Sequence, residues 1–125
     1  MAQPNYGAFE FVTDTQTFHP GGHWAVGALY GTMTDTYVSP GDPIFYLHHS
    51  NVDRSWWSWQ KRDLSRRERD ISGPLVFFDY QNQVAGNATL DTPVRFGLTN
   101  RVEFKAGDLL NIQKGPFCYT YDTLY

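Results

Sequence analysis

Cysteine is nearly absent: Cys118 is the single one in 125 residues. That excludes an internal disulfide framework. Free cysteines favour protein interiors, so Cys118 is expected as a packed core thiol, with a reactive thiol as the alternative. There is no run of about 18 apolar residues to make a spanning helix, and the first residues lack the basic-then-apolar pattern of a secretory leader. The chain is therefore expected to be soluble, with its localisation unknown. Asn87-Ala88-Thr89 fits a glycosylation sequon, which matters only for a secreted longer precursor. Charge of one sign is also lacking. Thirteen Asp and Glu face ten Lys and Arg, for a net charge of -3, so neither nucleic acid nor a membrane is an expected partner. No Gly-rich phosphate loop, serine elbow or internal repeat is present, which removes nucleotide binding and Ser-based hydrolysis as leading readings.

Aromatic residues are plentiful, at 17%. Many lie before and within residues 42–60, where they are expected to wall a dry pocket. The length bounds the chain to one domain, 1–125. Its pattern divides into a helical region, 1–72, and an irregular closing region with short strands, 73–125. Residues 4–18 show no clean periodicity. In His19-Pro20-Gly21-Gly22-His23 the histidines stand four apart, so one helical turn places both imidazoles on one face. His19 is expected as the cap and Pro20 at the first helical position. Gly21 and Gly22 each cost an isolated helix roughly 1 kcal/mol, so metal or packing must hold this turn. Residues 27–41 read as a long loop.

Asp42-Pro43 is a strong helix start, with Asp42 as N-cap and Pro43 behind it, and the helix is expected to run to about Lys61. Phe45, His49, Val52 or Asp53, and Trp56 form one continuous face with His49 in its middle. His48 points about 100 degrees away and is expected to pack or hydrogen-bond behind it. Residues 61–70 read as a solvated, mixed-charge helix end. Residues 74–80 and 102–105 have strand composition, and the alternation over 117–122 suits a strand or an extended plug. His19, His23 and His49, with the Asp53 carboxylate nearby, suit zinc, copper, iron or nickel, and an all-imidazole set favours copper or zinc.

Asp42-Pro43-x-Phe45-Tyr46-x-x-His49-x-x-x-Asp53 resembles the second-copper signature of the tyrosinase, catechol oxidase and molluscan haemocyanin superfamily. His19-x-x-x-His23 with Gly27, Ser39-Pro40-Gly41, the Trp56-Trp57-x-Trp59-Gln60 run and Tyr119-x-Tyr121 follow in the family's order and look most like its short fungal members. The resemblance implies a mainly α fold, half of a type 3 copper four-helix-bundle core with a loop- and short-strand-rich closing segment. It implies copper, held by His19, His23 and His49 as the CuB ligands. Phe45 would stack on a ligand imidazole and Asp53 would steady the helix. Glu10 is the candidate for the acid that holds a water.

The implied activity is oxidation of o-diphenols to o-quinones by O2, with monophenols as a further substrate class. Pro20 stands where many members carry Asn, which weighs against monophenol hydroxylation. Family enzymes use two coppers, and only His48 is left over from the four histidines. The expected partners are thus a phenol and O2, together with a CuA-bearing half. The leading expectation is the C-terminal half of a longer oxidase. A homodimer with facing CuB sites and a non-catalytic mono-copper, oxygen-carrier-like or structural domain are the alternatives.

Overall fold

The computed structural model describes residues 2–15, 17–76, 78–97 and 102–125. The fold is mainly α. Three helices, α1 (Tyr6–Thr15), α2 (His19–Gly27) and α3 (Pro43–Lys61), precede a one-turn α4 (Leu64–Arg67). A two-stranded antiparallel ribbon follows, β1 (Pro93–Arg95) and β2 (Glu103–Lys105), with Val94 opposite Phe104, and then a one-turn α5 (Ala106–Leu109).

Two of the long helices have a local cause. The Asn5 carboxamide accepts from the Ala8 amide at 2.9 Å and starts α1. The Asp42 carboxylate accepts from the Ile44 amide at 2.9 Å, with Pro43 following, and starts α3. Helix α2 has no side-chain cap; packing holds it instead. A Cβ on Gly22 would run into the imidazole ring of His48, so α2 crosses α3 at a distance only glycine permits. Gly27 lies equally tight on Thr34, in the first of two 3-10 turns (Thr32–Thr34 and Ser39–Gly41) within the 27–41 stretch.

The core sits at the far end of α3. Trp57 and Trp59 are fully buried there with Leu110 and Ile112. Trp59 stacks on Phe9 of α1 at 5.4 Å, its indole N–H donates to the Gln3 carbonyl at 2.8 Å, and the Arg67 guanidinium lies 4.5 Å over its ring. An indole burying about 200 Å² contributes roughly 5 kcal/mol of apolar burial before entropy is counted. The Gln60 carboxamide donates to the Leu110 carbonyl at 2.8 Å and joins the closing region to this core.

Several expectations are corrected. Cys118 is exposed, because the 117–122 segment lies on the surface, and that segment forms no strand. Within 74–80, where Phe77 falls outside the described residues, turns replace the expected strand. Among the described residues a single bridge forms there, Pro74 to Asn87, flanked by the Leu75 amide donating to the Gly86 carbonyl and the Ala88 amide donating to the Gly73 carbonyl. His19 is the first residue of α2, not its cap; Phe18 takes the cap position. Arg67, read as solvated, is buried because its guanidinium donates to the Trp59 and Gln3 carbonyls at 2.6 and 3.2 Å. Tyr30 and Tyr37 are 97% and 91% exposed, so the 27–41 aromatics do not wall a pocket.

The last residues run as an extended strap along the outer face of α3. Tyr119 and Tyr121 both donate to Asp53 Oδ2, at 2.9 and 2.5 Å. Arg54 Nε donates to the Thr123 carbonyl at 2.7 Å, and Tyr125 donates to Asn51 Oδ1 at 2.6 Å. No helix among the described residues is long and apolar enough to cross a membrane.

Candidate metal centre

Helix α2 carries His19 and His23 one turn apart, and α3 brings His49 against them. One ring nitrogen from each converges, all within 4.8 Å of one another. His23 Nε2 lies 3.2 Å from His19 Nε2 and 3.2 Å from His49 Nε2.

For His19 and His23 the partners of the outer nitrogens assign the tautomer. His19 Nδ1 lies 3.0 Å from Asp14 Oδ1, and His23 Nδ1 lies 2.6 Å from the Met33 carbonyl. A carboxylate and a carbonyl only accept, so each Nδ1 carries a proton, and in that tautomer of the neutral imidazole each Nε2 presents a bare lone pair. Two lone pairs facing at 3.2 Å repel. A cation between them removes the repulsion, and imidazole–metal bonds of about 2.0–2.1 Å would set the nitrogens about 3.4 Å apart. The donor set therefore fits a bound metal, and imidazole nitrogens suit copper or zinc. Hydrogen bonds that fix the tautomer from behind are typical of metal-binding histidines.

His49 is pressed toward the neutral state. Burial, followed by the neighbouring His19 and His23, pulls its pKa down to about 4. Phe45, one turn earlier on α3, stacks on its ring at 4.1 Å and 29°. His48 Nε2 lies 2.8 Å from the His19 carbonyl, to which it donates, and its ring packs on Gly22, so it braces the backbone between the helices. Asp53 lines one cleft together with His49, and its Oδ2 accepts from the two tyrosines of the strap.

Two clefts flank the cluster. One, of about 320 Å³, is lined by the three histidines together with Trp24, Phe45 and Phe78. The other, between α1 and α3, is lined by Glu10, Asp14, His49 and Trp56 among others. Glu10 Oε1 accepts from the Tyr80 hydroxyl at 3.4 Å, while its Oε2 is buried with no hydrogen-bond partner. Burial first, and then the charge of Asp14, raises the Glu10 pKa.

Asp14, the Met33 carbonyl and Phe78 are site components that sequence reasoning missed. Asp14 lies five residues before His19 without motif context. Met33 acts through its backbone, which no side-chain pattern reports. Phe78 reaches the cleft from the closing region.

Residues 2–62 match the family model described as the common central domain of tyrosinase. The tyrosinase-like protein phomQ1 of Diaporthe leptostromiformis is 34% identical over 124 residues, covering 98% of this chain and 30% of that protein. N-acetyl-6-hydroxytryptophan oxidase ivoB of Emericella nidulans is 35% identical over 109 residues, covering 83% of this chain and 28% of that protein. Tyrosinase P of Aspergillus terreus is 35% identical over 103 residues, covering 82% and 27% respectively. The chain thus spans just under a third of the length of these relatives.

Proposed function

The chain belongs to the tyrosinase superfamily, and on that premise we propose that it supplies half of a copper centre that oxidises o-diphenols to o-quinones with O2. The family and the three-histidine group fit copper oxidase function. The observation that carries the finer reading is the convergence of three imidazole nitrogens, with His23 Nε2 3.2 Å from the Nε2 atoms of both His19 and His49. In this reading His19, His23 and His49 hold one copper, the CuB of the resemblance, and a second copper comes with a segment or chain bearing its own histidines. Copper held there supplies the redox chemistry. Two diphenols each give up two electrons and two protons while one O2 becomes two waters.

The chain's own groups prepare that event. Asp14 and the Met33 carbonyl fix the tautomers of His19 and His23, and Phe45 fixes the plane of His49. Glu10 holds a water beside the site, a role supported by its buried, unpartnered Oε2. Pro20 lines the cleft with no side-chain hydrogen-bonding group, which favours diphenols over monophenols. A covering partner, either the CuA-bearing half or a second copy of this chain, is supported by apolar side chains left open around the cluster. Among them Trp24, which lines the cleft, and Leu47, next to His48 on α3, are 55% and 68% exposed.

Metal analysis of the purified chain beside His49→Ala tests the ligand set. We expect about one copper per parent chain and a large loss in the variant, and equal copper in both would overturn it. Catechol oxidation should be negligible for the chain alone and appear when the remaining segment of a relative is added. Strong turnover at one copper per chain would defeat the half-site, and copper uptake without oxidation in either case would favour a copper-holding module without turnover.

A further inference from the structure

Phe78 stands 29 positions after His49 in the closing region, yet it lines the same cleft as the three histidines and Phe45. Its backbone has φ +62. Bulky L-residues rarely adopt that left-handed conformation, and it persists only where the surroundings enforce it. Apolar burial does not explain it, since the side chain is 57% exposed.

The enforcement is visible on both sides. The Asp79 amide donates to the Val76 carbonyl at 3.0 Å, and the Asp79 carboxylate accepts from the Gln83 and Val84 amides at 2.9 and 2.8 Å. Tyr80 then ties the turn to α1, through Glu10 and by an edge contact with Phe11 at 5.2 Å. The same helix carries Asp14, which orients His19. A turn pinned to the scaffold of the metal cluster thus holds a half-exposed ring at the wall of its cleft.

We infer that Phe78 is a substrate-positioning residue, whose ring packs against the aromatic ring of a ligand bound through an oxygen at the histidine cluster. The inference rests on the copper reading above and deepens it. The recognised class is a planar aromatic bearing an oxygen donor, and a small aliphatic oxygen ligand gains nothing from Phe78.

Benzoate and acetate present the same carboxylate and differ by the ring, so they isolate this contribution. The copper(II)-loaded chain is titrated with each, followed by the visible absorption of copper, for the parent, Phe78→Gly and Phe78→Tyr. Ring pairing of ordinary strength predicts that Phe78→Gly weakens benzoate about five-fold, leaves acetate unchanged, and that Phe78→Tyr restores the parent ratio. The melting temperature of Phe78→Gly should hold or rise, because glycine takes the left-handed conformation without strain. A merely structural phenylalanine would lower it instead. An unchanged benzoate-to-acetate ratio, or equal weakening of both, overturns the inference alone. No copper uptake by the parent overturns the metal site and the inference together.

Discussion

The two ends of α3 share one helix and differ in almost everything else. Its second half is sealed: Ser55, Trp57, Ser58, Trp59 and Gln60 are all buried, with the serine hydroxyls donating back to the Asn51 and Arg54 carbonyls at 2.9 and 2.7 Å. Its first half carries Phe45, His48 and His49 inward, while Ile44, Tyr46 and Leu47 are 41%, 62% and 68% exposed. Stability is concentrated away from the histidine cluster. The candidate metal-binding histidine sits on a part of the helix held by a few close contacts and by electrostatics that a metal would complete.

Substitutions can break that contrast in order of size. Trp59→Ala should cost about 3–5 kcal/mol, because it removes the stacking on Phe9, the Gln3 hydrogen bond and the seat of Arg67 together. Chemical denaturation is the measurement, and a loss below about 1 kcal/mol would contradict the sealed end as the anchor. Gly22→Ala should cost about 1–3 kcal/mol by driving a methyl into His48. It should also lower copper affinity, because α2 must move away from α3 and His49; stability loss with full copper affinity would show that the cluster does not depend on that crossing.

The strap yields a pH prediction. Burial, and then the hydrogen bond and charge of Asp53, raise the pKa of Tyr119 and Tyr121 above the ordinary tyrosine value of 10. A folded-state pKa above the unfolded one gives stability that is fully present below pH 10 and is lost as pH rises through the folded value. Absorbance at 295 nm should therefore show these phenols ionising only at strongly alkaline pH, with Asp53→Asn bringing them down. Ordinary titration of all eight tyrosines in the folded chain would refute the tie. The smallest effect belongs to the open face, where Leu47→Ser should stay within about 0.5 kcal/mol in the isolated chain. If a covering partner binds there, the same change should weaken that association.

What could be read from the sequence was local. The Asp42-Pro43 start and the run to Lys61 lie in one stretch, and the four-residue spacing of His19 and His23 needs only one turn of helix. His49 joined them through its place on the α3 face and the family signature, since no local rule links residues 26 apart. Helix α1 stayed unread because its apolar residues contact different surfaces: Phe9 the core, Phe11 the ring of Tyr80, and Tyr6 that of Trp56. The 74–80 segment has strand composition, but after one bridge to Asn87 it breaks into a turn closed by the Asp79 amide on the Val76 carbonyl, which composition does not report. The fate of Cys118 depended on where residues 117–122 lie, which the long-range pull of Asp53 on two phenols decides.

That pull also sets an order of events. Every contact of the strap with α3 joins residues 66 to 74 positions apart. A chain emerging from the N-terminal end exposes its histidines, and can form the turn between them, long before Tyr119 exists to fasten the helix from outside. Fastening the helix from outside therefore depends on the longest loop closures that α3 takes part in, while the turn joining His19 and His23 needs none.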